Sequence, residues 1–180
     1  KNLVPNRYTM DKVTIVVPVK NEEVGLKYLL DDFKSSNIGQ NCHIQFIFVI
    51  DERTSDNSLK MAEKFAHQTI DQSSEHGKGS AIRQAVNKLN LDNEQFVVFL
   101  DADGSYSFDG VRLIINALRD GCDICSGSRF VSKVGRPRGM SNLHNFGNRF
   151  LSMVSSLRNR RHISDLCTGL WGFTAQALRK

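Results

Sequence analysis

The sequence predicts an α/β fold: a mostly parallel central sheet flanked by helices. Three observations predict it. Apolar runs at 13–17, 44–50 and 96–100, rich in Val, Ile and Phe, read as buried strands, the kind found in parallel sheets. Segments with apolar residues near helical spacing lie between them, so strand and helix alternate along the chain. Polar and acidic residues follow each run, where an open parallel sheet gathers its ligand groups.

Taken in order, the β-branched run 13–17 is stopped by Pro18. A helix over 22–33 follows from Val24, Leu26, Leu29, Leu30 and Phe33. After the strand at 44–50, Thr54, Ser55 or Asp56 caps a helix through His67, with Leu59, Met61, Ala62, Phe65 and Ala66 inward. A short strand near 69–70 precedes a helix over 78–89 carrying Ala81, Ile82, Ala85, Val86 and Leu89 on one face. The strand at 96–100 leads to a helix near 109–119 and a strand near 123–127. Gly135, Pro137 and Gly139 mark 130–140 as a loop. A helix over 141–157 turns Leu143, Phe146, Phe150, Leu151, Val154 and Leu157 to one apolar side.

One hundred and eighty residues suit a single domain, 1–180, that buries about 70% of the surface its unfolded chain exposes. A 40% apolar share and 24% charged residues are ordinary for a soluble globular protein. No apolar run approaches the roughly 20 residues of a membrane span, and no signal peptide is visible. The chain starts with Lys and stops just after the start of a helix, so it is expected to lack C-terminal elements of a longer protein. Of the four cysteines, Cys122 and Cys125 have C-x-x-C spacing, but no second Cys or His pair at zinc-ligand spacing accompanies them. Free buried thiols in a reducing cytoplasm are the favoured reading.

Charge is unevenly placed. Residues 124–164 hold no Asp or Glu and eight cations, Arg129, Lys133, Arg136, Arg138, Arg149, Arg158, Arg160 and Arg161; a net +5 less these eight leaves the rest at −3. A basic segment on an acidic body suits an anionic partner. Nucleic acid is not supported, since no aromatic interleaving or nucleic-acid motif accompanies the cations. Phosphorylated substrates or an anionic membrane surface fit better, because arginine grips phosphate bidentately.

Asp101 and Asp103 follow the strand at 96–100 and, one residue apart in extended chain, point the same way. Two hard oxygen ligands at a strand exit suit a divalent cation, and a divalent cation suits a diphosphate. On these residues alone, Asp101 equally suits a helix cap and Asp103 a solvated turn. Two common nucleotide motifs are absent. No Gly-x-Gly-x-x-Gly follows the first strand, and the upstream glycine that a phosphate loop through Lys78 needs is missing.

Seven blocks together resemble the family 2 glycosyltransferases of the GT-A fold, especially the dolichol- or polyprenyl-phosphate sugar transferases. They run through Val16–Glu23, Val49–Glu52 with Thr54–Asp56, Gly77–Ala81, Asp101–Gly104, Gly127–Phe130, Gly147–Asn148 and Ser164–Gly169, so the resemblance covers nearly the whole chain. It implies the GT-A nucleotide-diphospho-sugar transferase fold. It implies that Pro18, Asn21, Glu22 and Asp51 wall the nucleobase and ribose site, with Val19, Lys78, Asp101 and Ala102 completing the nucleotide-sugar site. Asp101 and Asp103 become the pair for Mg²⁺ or Mn²⁺, and Arg129 with Arg136 or Arg138 neutralises donor or acceptor phosphate. Asp103 and Asp165 are the catalytic candidates, Asp165 as the base that a hydroxyl acceptor needs. Glu22 and Asp56 also suit helix caps, and Asp165 suits a cap or an arginine partner.

The chain departs from the family pattern at Glu52 and Arg53, where a shorter acid and a turn glycine are common, at Ser105, and at Phe108 and Asp109. The function implied is inverting, metal-dependent sugar transfer from a UDP- or GDP-sugar to a polyprenyl- or dolichol-phosphate acceptor. The place implied is the cytoplasmic face of a membrane, with peripheral attachment. The alternatives are a carbohydrate hydroxyl acceptor in cell-surface polysaccharide synthesis, a non-catalytic sugar-nucleotide-binding domain, and, weakened by its missing glycine- and arginine-rich loop, a sugar-phosphate nucleotidyltransferase.

Overall fold

A computed structural model describes residues 10–73, 75–91, 95–130, 142–160 and 162–180. Six strands form one sheet: β1 (Asp11–Val19), β2 (Cys42–Asp51), β3 (Gln68–Gln72), β4 (Gln95–Phe99), β5 (Ile124–Ser126) and β6 (Trp171–Thr174), ordered β3-β2-β1-β4-β6-β5. β1 pairs in parallel with both β2 and β4, as does β2 with β3, so three neighbouring strands and β3 end at one edge. β6 runs antiparallel to both β4 and β5. This strand was not foreseen; Trp-Gly-Phe-Thr is too short and too glycine-broken to carry a period.

The alternation of the strands splits the core in two. Ile15, Val17, Phe46, Phe48 and Val98 face one way, onto α1 (Glu23–Ser35) and α4 (Phe108–Arg119). Val16, Ile47, Val49, Val97 and Phe99 face the other way, onto α3 (Lys78–Lys88), where Ala81 and Ala85 are small enough for close approach. Phe46 anchors the first layer, with Phe33 edge-on at 4.8 Å and Phe48 stacked at 5.7 Å. Burying a side chain of that size is worth about 1.5–3 kcal/mol, so the phenylalanine cluster alone outweighs any single surface ion pair.

Three expectations are corrected. The helix expected to reach His67 is only α2 (Ser58–Glu63), and Asp56 serves two helix starts at once. Its carboxylate accepts from the Ser58 N–H at 2.9 Å and from the Glu23 N–H at 3.0 Å, which ties the loop after β2 to the loop after β1. Glu22 makes no such side-chain cap. Second, the cysteines are free, but only Cys42 is buried; Cys122 and Cys167 are exposed and Cys125 is half-buried.

The third correction is α5 (Asn142–Asn159), which is turned over. Its apolar residues Phe150, Leu151, Met153, Val154 and Leu157 are exposed, and Asn148 and Ser152 are buried. The polar row at four-residue spacing explains the choice. Asn148 Oδ1 accepts from the Cys167 N–H, Ser152 Oγ from the Leu166 N–H and Ser156 Oγ from the Ile163 N–H. These hydroxyls and the amide satisfy the backbone N–H groups of Ile163, Leu166 and Cys167, a need stronger than burying an apolar stripe.

Candidate functional site

The carboxyl ends of β1, β2, β3 and β4 surround a cleft of about 320 Å³. Pro18, Val19, Lys20 and Glu22 line it from β1, Asp51 and Arg53 from β2, Gly77, Lys78 and Ala81 from the start of α3, and Asp101, Ala102 and Asp103 from β4. Seven of the eight residues expected at a nucleotide-sugar site, and Asp103 of the expected metal pair, thus share one crevice. Asn21 is not among its lining residues; with φ +51° its side chain accepts the Ser55 N–H at 2.8 Å and joins the first two loops. Gln72 was missed because nothing in the short third strand marks its end as part of a site.

The Asp101–Asp103 segment rests directly on α1. A Cβ on Gly25 would lie 2.5 Å from the Ala102 carbonyl oxygen and 2.6 Å from Asp103 Cα, so only glycine lets the helix come this close. Asp101 is not a helix cap; Ser107 caps α4. Asp103 Oδ1 does accept the Ser105 N–H at 2.9 Å, closing a turn as its sequence allowed. Lys78 Nζ stands 2.5 Å from Asp101 Oδ1.

The charges of the crevice are under tension. Burial pushes the Asp101 carboxyl up, against the pull of Lys78, and nearby Asp103 adds to the rise. Burial, then Asp103 and Asp101, push Glu22 up as well. Asp51 goes the other way: Arg53 hydrogen-bonds both its oxygens and holds the carboxyl well below the usual range. Three acids crowding one polar cleft, with an ammonium already against one of them, is an arrangement that accepts a cation. The donor chemistry of Asp101 and Asp103 therefore fits a hard divalent ion, although among the described residues no three Cys, His, Asp or Glu side chains gather as a complete metal cluster.

Asp165 lies outside the cleft lining and is fully engaged. Its carboxylate accepts from the Arg129 main-chain N–H at 3.1 Å, from Arg129 Nε and Nη2 at 2.9 Å each, and from Asn148 Nδ2 at 2.6 Å. Burial would raise this carboxyl, but the bonds from Arg129 and Asn148 outweigh it and the net direction is down. Arg129 is spoken for in turn: Nη2 also donates to the Cys167 carbonyl at 2.8 Å, and the guanidinium lies 5.7 Å from the centre of the Tyr106 ring. Tyr106 carries the network back to the cleft. Its hydroxyl accepts the Gly169 N–H at 2.6 Å, and a Cβ on Gly169 would fall 1.8 Å from Asp101 Oδ2. Antiparallel β6 makes this meeting possible, because it brings residues 165–170 to the edge where β4 ends. Arg136 and Arg138 lie outside the described residues.

Comparison with known proteins agrees with the fold. The family model described as Glycosyl transferase family 2 matches residues 14–180. Glycosyltransferase AglJ of Haloferax volcanii is 28% identical over 171 residues, 94% of this chain and 52% of that protein. The dolichol-phosphate mannosyltransferase of Pyrococcus furiosus is 28% identical over 123 residues, 67% of this chain and 34% of that protein. The chain therefore spans about half the length of the first relative and a third of the second. Among solved structures, glucosyl-3-phosphoglycerate synthase from Mycobacterium tuberculosis, in complex with Mn²⁺ and UDP-glucose, superposes with a TM-score of 0.67 at 15% identity, covering 92% of this chain and 57% of that one. Mannosyl-3-phosphoglycerate synthase from Rubrobacter xylanophilus gives 0.61 at 15% identity, over 92% of this chain and 54% of that one. At that identity the likeness is one of fold, and it is the GT-A fold of nucleotide-sugar transferases. With the family match running from the middle of β1 through the cleft and the Asp165 network to the last residue, the chain belongs to glycosyl transferase family 2.

Proposed function

We propose that this chain is the catalytic domain of an inverting glycosyltransferase that moves a sugar from a nucleoside diphosphate donor to a polyprenyl- or dolichol-phosphate acceptor, with Mg²⁺ or Mn²⁺, at the cytoplasmic face of a membrane. The observation that carries it is the crowding of Asp101, Asp103 and Glu22 beside Lys78 in a cleft at the carboxyl edge of the sheet. Asp101 and Asp103 hold the cation, which when bound offsets the charge developing on the departing nucleoside diphosphate. Lys78 adds a positive group at the same point, and Pro18, Val19 and Ala81 give the nucleoside apolar walls.

A lipid phosphate is favoured over a carbohydrate hydroxyl by two observations. An acceptor phosphate is ionised near neutral pH and needs no base. Asp165, the candidate base, is closed off by Arg129 and Asn148, which supports a positioning role for it. The exposed face of α5 carries Phe150, Met153, Val154 and Leu157, in a stretch rich in arginine and free of acids. That combination suits the headgroup region of an anionic membrane. No described helix is long and apolar enough to cross a membrane. The dolichol-phosphate mannosyltransferase among the relatives supports this acceptor class.

The test is sugar transfer from UDP- and GDP-sugars to polyprenyl phosphate in anionic vesicles, set against a water-soluble glycan acceptor. Asp103→Asn should cut turnover by about 10²–10³-fold with the protein still folded. Near-normal turnover by that variant would sink the metal assignment, and transfer to the glycan alone would sink the lipid one.

A further inference from the structure

Asp51 stands where the nucleobase is expected, yet its oxygens are already taken. Arg53 folds back over it: its main-chain N–H donates to Oδ1 at 3.0 Å, Nε to Oδ1 at 2.7 Å and Nη2 to Oδ2 at 2.5 Å. The Asp51 side chain is 4% exposed and that of Arg53 is 47% exposed, so the arginine is the one that the cleft meets. One edge of the guanidinium, Nε with Nη2, is spent on the buried carboxylate. The other edge, Nη1 with the second hydrogen of Nη2, makes no hydrogen bond among the described residues. The β2 end of the cleft therefore presents a flat, donor-only fork, fixed from behind by a charge-assisted pair.

We propose that Arg53 reads the nucleobase of the donor and selects guanine; this rests on the sugar-nucleotide reading above. Guanine offers O6 and N7, two neighbouring coplanar acceptors that match a guanidinium fork. Uracil sets an N–H between its two carbonyls, and adenine sets an amino group beside N7, so each turns a donor toward donors. Cytosine, with O2 beside N3, is the rival base. Asp51 is then a positioning residue that holds the fork in plane. Lysine at this position keeps the charge but loses the fork.

The experiment is calorimetric titration of the full chain with GDP, UDP, CDP and ADP, each with Mn²⁺, on the wild type and on Arg53→Lys and Asp51→Asn. GDP should bind about 5- to 150-fold tighter than UDP or ADP. Both variants should erase that ratio with their melting temperatures still in the folded range, which a merely structural role for Arg53 would not produce. Preference for UDP or CDP, or a GDP preference that survives Arg53→Lys, overturns the assignment and leaves the sugar-nucleotide reading standing. Binding of none of the four overturns both.

Discussion

Two largely buried carboxylates, Asp101 and Asp165, sit at the same edge of the sheet and are treated in opposite ways. Asp101 meets Lys78 from the described part of the chain, keeps 29% side-chain exposure toward the cleft, and has its carboxyl pushed up by burial. Asp165 has no side-chain exposure and is held down by Arg129 and Asn148. The first is underserved by the protein's own groups. The second is served completely and fixes the loop that carries it. Burial alone therefore does not identify a working acid; the balance between burial and partners does.

The largest effect that can break this comparison is on stability. Asp165→Ala leaves Arg129, whose side chain is 11% exposed, with an uncompensated charge. Losing one partner of a buried pair costs about 3–5 kcal/mol, so denaturant unfolding should show a marked loss. Asp101→Asn should leave the unfolding midpoint unchanged or raised, since it removes a charge that is paid for poorly in the fold. Equal losses in the two variants would erase the distinction.

Next in size is the contact between the two regions. Gly169 links them, with Tyr106 on its N–H and Asp101 against its Cα. Gly169→Ala puts a methyl where the carboxylate is, with 2.3 Å left to Asp101 Cγ. Overpacking of this kind costs about 1–3 kcal/mol, and here it should also displace Asp101 and weaken cation-dependent nucleotide binding. Gly147 on α5 is the control, because a Cβ there meets nothing within 4 Å. If Gly169→Ala binds nucleotide like the Gly147→Ala control, the two regions are not coupled through this contact.

The same contrast explains what was legible in the sequence. The cleft was readable because parallel strands announce themselves as Val, Ile and Phe runs and put whatever follows them at one edge. Pro18, Asp51 and Asp101 could be placed together without any knowledge of distant contacts. The Asp165 network depends on such contacts. α5 shows an apolar stripe that periodicity assigns to a core, but the backbone of 163–167 needed Asn148, Ser152 and Ser156 more. β6 owes its place to pairing with β4 and β5, not to a pattern of its own. Arg53 stood out only as a departure; that it would fold back onto Asp51 depends on a turn whose shape the sequence does not encode in any period.

The smallest expected effect is the sharpest, because its sign differs between the two regions. Asp165 has a folded pKa below its ordinary value of 3.8, so its contribution to stability is present above that pH and is lost as the pH falls toward the folded value. Asp101 has a folded pKa above 3.8, so its contribution is full below that pH and is lost as the pH rises through the folded value, where a buried charge must form. Melting temperatures against pH should separate them. Asp165→Asn should flatten the acid limb, the fall in stability below about pH 3.8, and leave the slope above it intact. Asp101→Asn should do the reverse, removing a cost that grows between that pH and neutrality. Both variants flattening the same limb would mean that the two carboxylates share one environment. The division between a carboxylate left for a ligand and one reserved for the fold would then fail.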